Sequence, residues 1–389
     1  MTIWTDEQLN DALKAGTRTI RFRYEVLQRN TGDGTFSRRG YLAGILPGGT
    51  VDYGYFNDIK TTCAFQILES VTETLADDEI SWSDVDPFSD QLRAHFQLLM
   101  PDGTWNDWPL GTFLMDAHER ATSATGEPTR TIRGYDRTII LDRDIDTAVY
   151  TVAAGAIITD QVVTILTGVG LADILVTPSA ETMTAARSWD QGTKTAQVVS
   201  DLLQQIGYGS LFMDPNGVAV ARPYVEPQNR AADHVYHTDD ESILTPDATE
   251  TAPIWDVPNR WVFVVSQPDQ SVLTSTVDNR APTSPTSQVS LGYTVTDFRT
   301  DVQAASQTAL DALTRKSAAE ASQVYFERQV NSAIMPDHGE ADVIDFQHGP
   351  LDSGATDGVM FQETAFSIAC AFDGLMAHTI RRVVNIDET

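Results

Sequence analysis

Cysteine is nearly missing from this chain: its 389 residues hold two, Cys63 and Cys370, far apart and each within an apolar stretch. With no second cysteine at metal spacing and too few for a disulfide-rich scaffold, both are expected as buried free thiols; one bridge between them is the alternative. Basic residues are scarce as well. Lys and Arg number 26 against 55 Asp and Glu, a formal charge of −29, which argues against a direct grip on nucleic-acid phosphates. Solubility is the simplest reading of this acidity, and the wall of a channel that must not hold a passing polyanion is the other. Long hydrophobic runs are lacking too. The most apolar region, 151–176, is broken by Asp160, Gln161 and Asp173 and reads as a core helix with its flanks, not a membrane span. Residues 1–10 carry neither the basic nor the apolar part of a signal peptide, so synthesis in a reducing cytoplasm is expected.

The signatures of common enzymes are also missing. There is no Gly-x-Ser-x-Gly elbow, glycine and lysine phosphate loop, His-Glu-x-x-His pair or Cys-x-x-Cys in the sequence. The seven histidines, His95, His118, His234, His237, His338, His348 and His378, are scattered. His234 and His237 lie near Asp239 and Asp240 without a third firm ligand, and a solvated loop is the expectation there. Asp142, Asp144 and Asp146 have the spacing that opens a calcium loop. Thr147 stands where such a loop needs glycine and Ala153 where it needs glutamate, so they are read as strand-end acids. With 55 acids, carboxylate pairs suited to glycoside hydrolysis can be drawn at will, and none counts. Trp82, Trp105, Trp108, Trp189, Trp255 and Trp261 could line a sugar platform, but packing is the expected role. No catalytic, cofactor-binding or metal-ligating residue is assigned.

What the sequence does have is period. Residues 6–15 predict a helix with Thr5 as cap, Gln8 as its capping-box partner, Trp4 and Leu9 as staple and Gly16 as stop. Strand patterns follow at 19–28, 41–46, 63–68 and 92–100, with turns at 30–34 and 101–103. Segments 109–116 and 129–136 alternate apolar and polar residues around a polar turn, 121–128, so they should pair and bury one face. The acidic stretch 77–90 reads as a surface loop, free to carry contacts. The period then changes. Ile158, Val162, Ile165 and Leu166 mark a helix behind Thr159 as cap, and Val198, Val199, Leu202, Leu203 and Ile206 mark a second that Gly207 ends. A hairpin follows, 211–213 and 218–222 around Asp214-Pro215-Asn216-Gly217. Residues 261–265 read as a strand buried on both faces, 281–287 as a loop, 301–320 as an alanine-rich helix and 323–330 as a strand. Residues 361–371 and 375–384, hinged at Asp373-Gly374, predict a closing hairpin. Two to four domains suit this length.

The segments 109–116, with Leu110-Gly111-Thr112-Phe113, and 129–136, with Gly134-Tyr135-Asp136, stand in an order that carries a resemblance. Gly207-Tyr208 and Asp214–Gly217 continue it as "helix, Gly-Tyr, strand, Asp-x-x-Gly, strand", and a Pro and Ser stretch precedes Gly292. In outline most of the chain resembles the trimeric baseplate and tail-tip hub proteins of long-tailed phages. Residues 335–344 depart from the pattern, since Glu340 and Ala341 separate Gly339 from Asp342. The resemblance implies a multidomain, mainly β fold with an α+β middle. Two tube-like β-barrel or sandwich domains, 1–146 and 256–389 with helix 301–320, would flank a small α/β region, 147–255. Related folds at the two ends would let three chains make a ring of six modules. It further implies a structural virion protein at the tail tip, without enzymatic activity or cofactor, assembled in the host cytoplasm. Its expected partners are two further copies of itself, distal tail or tail-tube proteins, and a tip or spike protein. Genomic DNA would pass through the lumen without specific binding, and this chain would not insert into a membrane. A tail-associated cell-wall hydrolase and a receptor- or glycan-binding tail protein are the alternatives.

Overall fold

Thr5 opens the fold as its side-chain chemistry requires. Its hydroxyl accepts the Gln8 amide at 3.3 Å while the Gln8 side chain accepts the Thr5 amide at 3.0 Å, and helix α1 (Asp6–Lys14) starts there. Leu13 is buried in the main core, with Trp4 and Leu9 packed beside it. Thr5→Ala should lower stability by about 1 kcal/mol. A urea midpoint unchanged by the substitution would show the cap to be idle.

The structure is a computed structural model describing residues 4–386 apart from 31–34, 70–75, 77, 123–125, 240–241, 253–256, 266–271, 301, 303, 324–325 and 353–357, and not the side chains of 117 and 118. Asp77, Asp240, Trp255, Asp256, Asp301, the His118 side chain and parts of the turns at 30–34 and 121–128 thus lie outside the described residues.

Eight strands follow α1: β1 (Ile20–Arg29), β2 (Phe36–Leu42), β3 (Ile45–Gly54), β4 (Thr61–Leu68), β5 (Glu79–Ile80), β6 (Gln91–Leu99), β7 (Trp105–Ala121) and β8 (Thr129–Tyr135). Segment 41–46, expected as one strand, is divided. Gly44, at φ 80°, carries the chain out of β2 and into β3. β7 and β8 pair antiparallel as the alternation predicts. The acidic segment holds β5 and a short 3-10 turn at Trp82–Asp84, and Phe88 on it is 96% exposed.

The middle of the chain builds its own core. It comprises α2 (Thr138–Arg143), β9 (Tyr150–Val152), α3 (Ile158–Gly168), β10 (Ile174–Val176), β11 (Arg187–Trp189), α4 (Thr195–Gln204), β12 (Phe212–Met213) and β13 (Ala219–Ala221). Val162, Leu166, Val199 and Leu202 meet in its interior with Ala219 and Ala221 of the hairpin. Thr159 does not cap α3. Ile157 holds the cap position, and the Thr159 hydroxyl instead accepts the Ser179 amide at 3.4 Å. Gly207 leaves α4 at φ 69°, as expected of its stop.

The last region contains β14 (His234–His237), β15 (Leu244–Thr251), β16 (Arg260–Val265), β17 (Leu273–Asp278), α5 (Gln288–Leu291), β18 (Thr296–Arg299), α6 (Gln307–Gln323), β19 (Glu327–Ala333), β20 (Val343–Gln347), β21 (Val359–Cys370) and β22 (Leu375–Arg382). Three sequence expectations need correction. β16 buries Trp261, Phe263 and Val265 against α6 and leaves the alternate residues half-buried, so it has one core face, not two. Helix α6 begins at 307, where Ser306 accepts the Ala309 amide, leaving Val302 and Ala305 outside it. Gln323 then ends this helix, and the next strand starts at Glu327.

Strands of both β-rich ends share one 14-stranded sheet, in the order β15-β19-β22-β21-β3-β4-β8-β7-β6-β1-β2-β5, with β20 on β21 and β14 parallel to β20, while β17, β16 and β18 form a separate three-stranded sheet. Among the described residues the sheet remains open and closes no barrel. Antiparallel pairing of β3 with β21 ties the two ends together, and Val26, Phe96 and Phe113 share a core with Ile344, Phe361 and Met376. Cys63 and Cys370 are both free and buried. The protein is multidomain and mainly β, with a smaller mixed region between its β-rich ends.

Candidate functional site

The sequence motifs meet at one joint, and sterics explain their glycines. Phe113 on β7 is fully buried, with its ring over Gly111 and its stem against Gly134 of β8. A Cβ on Gly111 would lie 2.4 Å from Phe113 Cζ; one on Gly134 would lie 2.4 Å from Cys63 Sγ and 2.8 Å from Phe113 Cβ. Asp136 ends this motif in a buried position. It accepts the Thr61 amide at 2.7 Å and the Thr138 amide at 2.8 Å, so one carboxylate pins β4 and starts α2. Burial raises its carboxyl above the usual range despite these bonds.

The turn of the middle hairpin docks onto the same place. Thr112 donates to the Pro215 carbonyl at 3.0 Å, Arg93 to that of Asn216 at 3.0 Å and Arg137 to that of Gly217 at 2.8 Å. Gly217 has φ 82°, and a Cβ there would sit 3.0 Å from Thr112 Cβ, so the turn needs glycine for both conformation and approach. The joint fixes the middle region on the β-sheet.

A second site was not visible in the sequence. His338, ahead of β20, and His378, on β22, each direct Nδ1 at the Glu363 carboxylate on β21, at 2.6 and 2.5 Å. All three side chains are buried. His338 Nε2 meets the Tyr236 hydroxyl at 2.6 Å, and His378 Nε2 meets the Ser332 hydroxyl at 2.8 Å. His234 stacks on His338 at 3.9 Å between centroids and reaches Asp342 at 3.2 Å. Asp342 also accepts the Gly339 amide at 2.7 Å, and Ala341 between them stands at φ 57°. Burial disfavours charge on Glu363, yet the two imidazoles prevail and hold it down at about 2. Burial likewise opposes the proton on His338, but Glu363 wins and raises it; on His378 burial wins and lowers it. The expected solvated loop at His234 and His237 is in fact strand β14, and three of the scattered histidines form one cluster.

His95 forms a separate network. Its Nδ1 lies 2.7 Å from Asp107 and its Nε2 3.4 Å from Glu25. Burial lowers the imidazole, but the two carboxylates raise it overall; both carboxylates are lowered, Glu25 chiefly by its bond to His95 and Asp107 by the same partner against burial. The raised histidine stabilises fully below its ordinary pKa of about 6.5 and loses this as pH rises through its folded value. The lowered acids stabilise above about 4 and lose this as pH falls through their folded values. The stability difference between wild type and His95→Gln should therefore peak near pH 5 to 6 and shrink on both sides. Urea unfolding across pH checks it, and a pH-independent difference would refute the assignment.

The remaining sequence candidates are structural in their contacts. Asp142 and Asp144 sit at the end of helix α2, not of a strand; they accept Lys194 Nζ at 2.5 Å and the Thr195 hydroxyl at 2.6 Å, holding the start of α4. Trp189 and Trp261 belong to two different cores, Trp82 and Trp108 pack on a third, and Arg21 covers Trp105, so the described tryptophans form no platform. His348 is buried beside Phe346, and His237 lies 3.2 Å from Asp345.

No family model and no curated protein matches the sequence. Solved structures match it almost end to end. A tail protein from Neisseria meningitidis MC58 has 11% identity and a TM-score of 0.58, over 94% of this chain and 98% of that one. The 43 kDa tail protein of prophage MuSo2 from Shewanella oneidensis has 10% identity and a TM-score of 0.59, over the same shares. The chain has the fold of phage tail proteins. The tail-protein fold also recurs within a longer chain of the Francisella PdpA-VgrG complex, with 9% identity, a TM-score of 0.52 and coverage of 98% of this chain and 56% of that one. In this setting the joint becomes intelligible: its motifs fix the middle region on the β-sheet of a tail-protein fold.

Proposed function

We propose that the chain is a structural virion protein: a tail-tip or baseplate hub that forms a homotrimeric ring, joins the six-fold tail tube to a three-fold tip and conducts DNA. The observation that carries this reading is the fold likeness to two tail proteins over 94% of the chain. Within one chain the sheet path ends at β15 and at β5, and such ends leave backbone groups that a neighbouring copy can cover. The units 1–146, 147–255 and 256–389 provide two β-rich ends per copy, and three copies place six around an axis. The surplus of acids suits a lumen that repels a sliding polyanion instead of binding it. Tail-tube proteins on one side and a tip or spike protein on the other are the partners, and the chain works without enzymatic activity. Light scattering of the purified chain and electron cryomicroscopy of assembled tails test the ring. Three copies per tail are expected; one copy, or six identical ones, would overturn it.

A further inference from the structure

We infer that His338, His378 and Glu363 form a closed binding site for a divalent transition-metal ion of the zinc class, independent of the hub reading. Two imidazole nitrogens and a carboxylate converge here, with their ligand atoms within 4.8 Å of one another, from β21, β22 and the turn before β20. This donor set suits zinc, cobalt or nickel, whereas magnesium and calcium prefer oxygen alone. With both oxygens of Glu363 bound it offers four donor atoms, as closed structural sites do.

The surroundings fit a metal's needs. Each imidazole is oriented through its distal nitrogen, by Tyr236 and by Ser332, as metal-bound histidines are. On binding, each imidazole turns a bare Nδ1 to the ion and carries one proton on Nε2, and any proton beyond that leaves to solvent. Because the site is closed, loading belongs to folding.

The full-length chain decides the matter. It is unfolded in urea with a chelator and refolded with zinc chloride, and bound metal is measured by mass spectrometry after gel filtration; a parallel sample takes cobalt chloride. About one ion per chain, cobalt absorption in the visible, and a higher melting temperature with zinc than with chelator are expected. Glu363→Gln and His378→Gln should lose the metal, His95→Gln should keep it, and Tyr236→Phe should weaken affinity about 10- to 100-fold. Refolded wild type with less than about a tenth of an equivalent of zinc and no cobalt bands would overturn the site, whatever the variants do.

Discussion

Glu363→Leu should cost the protein about 3–5 kcal/mol of stability, because it removes the shared acceptor of two buried imidazoles and leaves them without a partner. The carboxylate meets His338 through one oxygen and His378 through the other, and water cannot replace it at a fully buried position. The loss applies with or without a metal, since proton and ion alike need the carboxylate. Urea denaturation of the variant beside wild type measures it. A difference within about 0.5 kcal/mol, the range of a neutral surface change, would mean that the cluster contributes nothing to the fold.

Gly134→Val should destabilise by about 3 kcal/mol through overpacking. Position 134 faces Cys63 across β4 and β8 and touches Phe113 across β7 and β8, so a side chain there meets two buried neighbours at once. Gly134→Val combined with Cys63→Ala should recover part of the loss, because the Sγ atom at 2.4 Å is the nearer obstacle to a Cβ at 134. Melting temperatures of the single and double variants decide this. Full tolerance of valine would show that the strands can separate locally and that the motif's glycine is not set by packing.

Local chemistry was legible in the sequence wherever the deciding partners were close along the chain. The Thr5 and Gln8 cap, the β7 and β8 pair and the glycine at 217 each depend on neighbours within a few positions or on one adjoining segment. The start of α6 was misplaced because alanines at 304 and 305 extend the apolar pattern beyond the helix, while the capping bond comes from Ser306. β16 looked buried on both faces because its outward residues are Val262 and Val264, which the sheet leaves half-covered. The histidine cluster was illegible for a stronger reason. Tyr236, Ser332, His338, Glu363 and His378 lie on separate elements, and only the pairings of β20 with β14 and β21, and of β22 with β19 and β21, bring them together. No spacing in one dimension records that.

The β3 and β21 pairing has a consequence for biosynthesis. Asp52 and Ser367 face each other across it although 315 residues separate them. At roughly 5–20 residues per second, a ribosome that has released β3 needs between about 15 seconds and one minute to deliver its partner. During that interval the edge of β3 is uncovered, and a nascent chain on a crowded polysome can pair with the wrong copy. The lock between the first and last parts of the fold is therefore a late event, slow by contact order and dependent on completed translation. Truncation before β21 should yield chains that aggregate as they emerge, and a holding chaperone during synthesis should raise the yield of the intact protein more than any aid given after release.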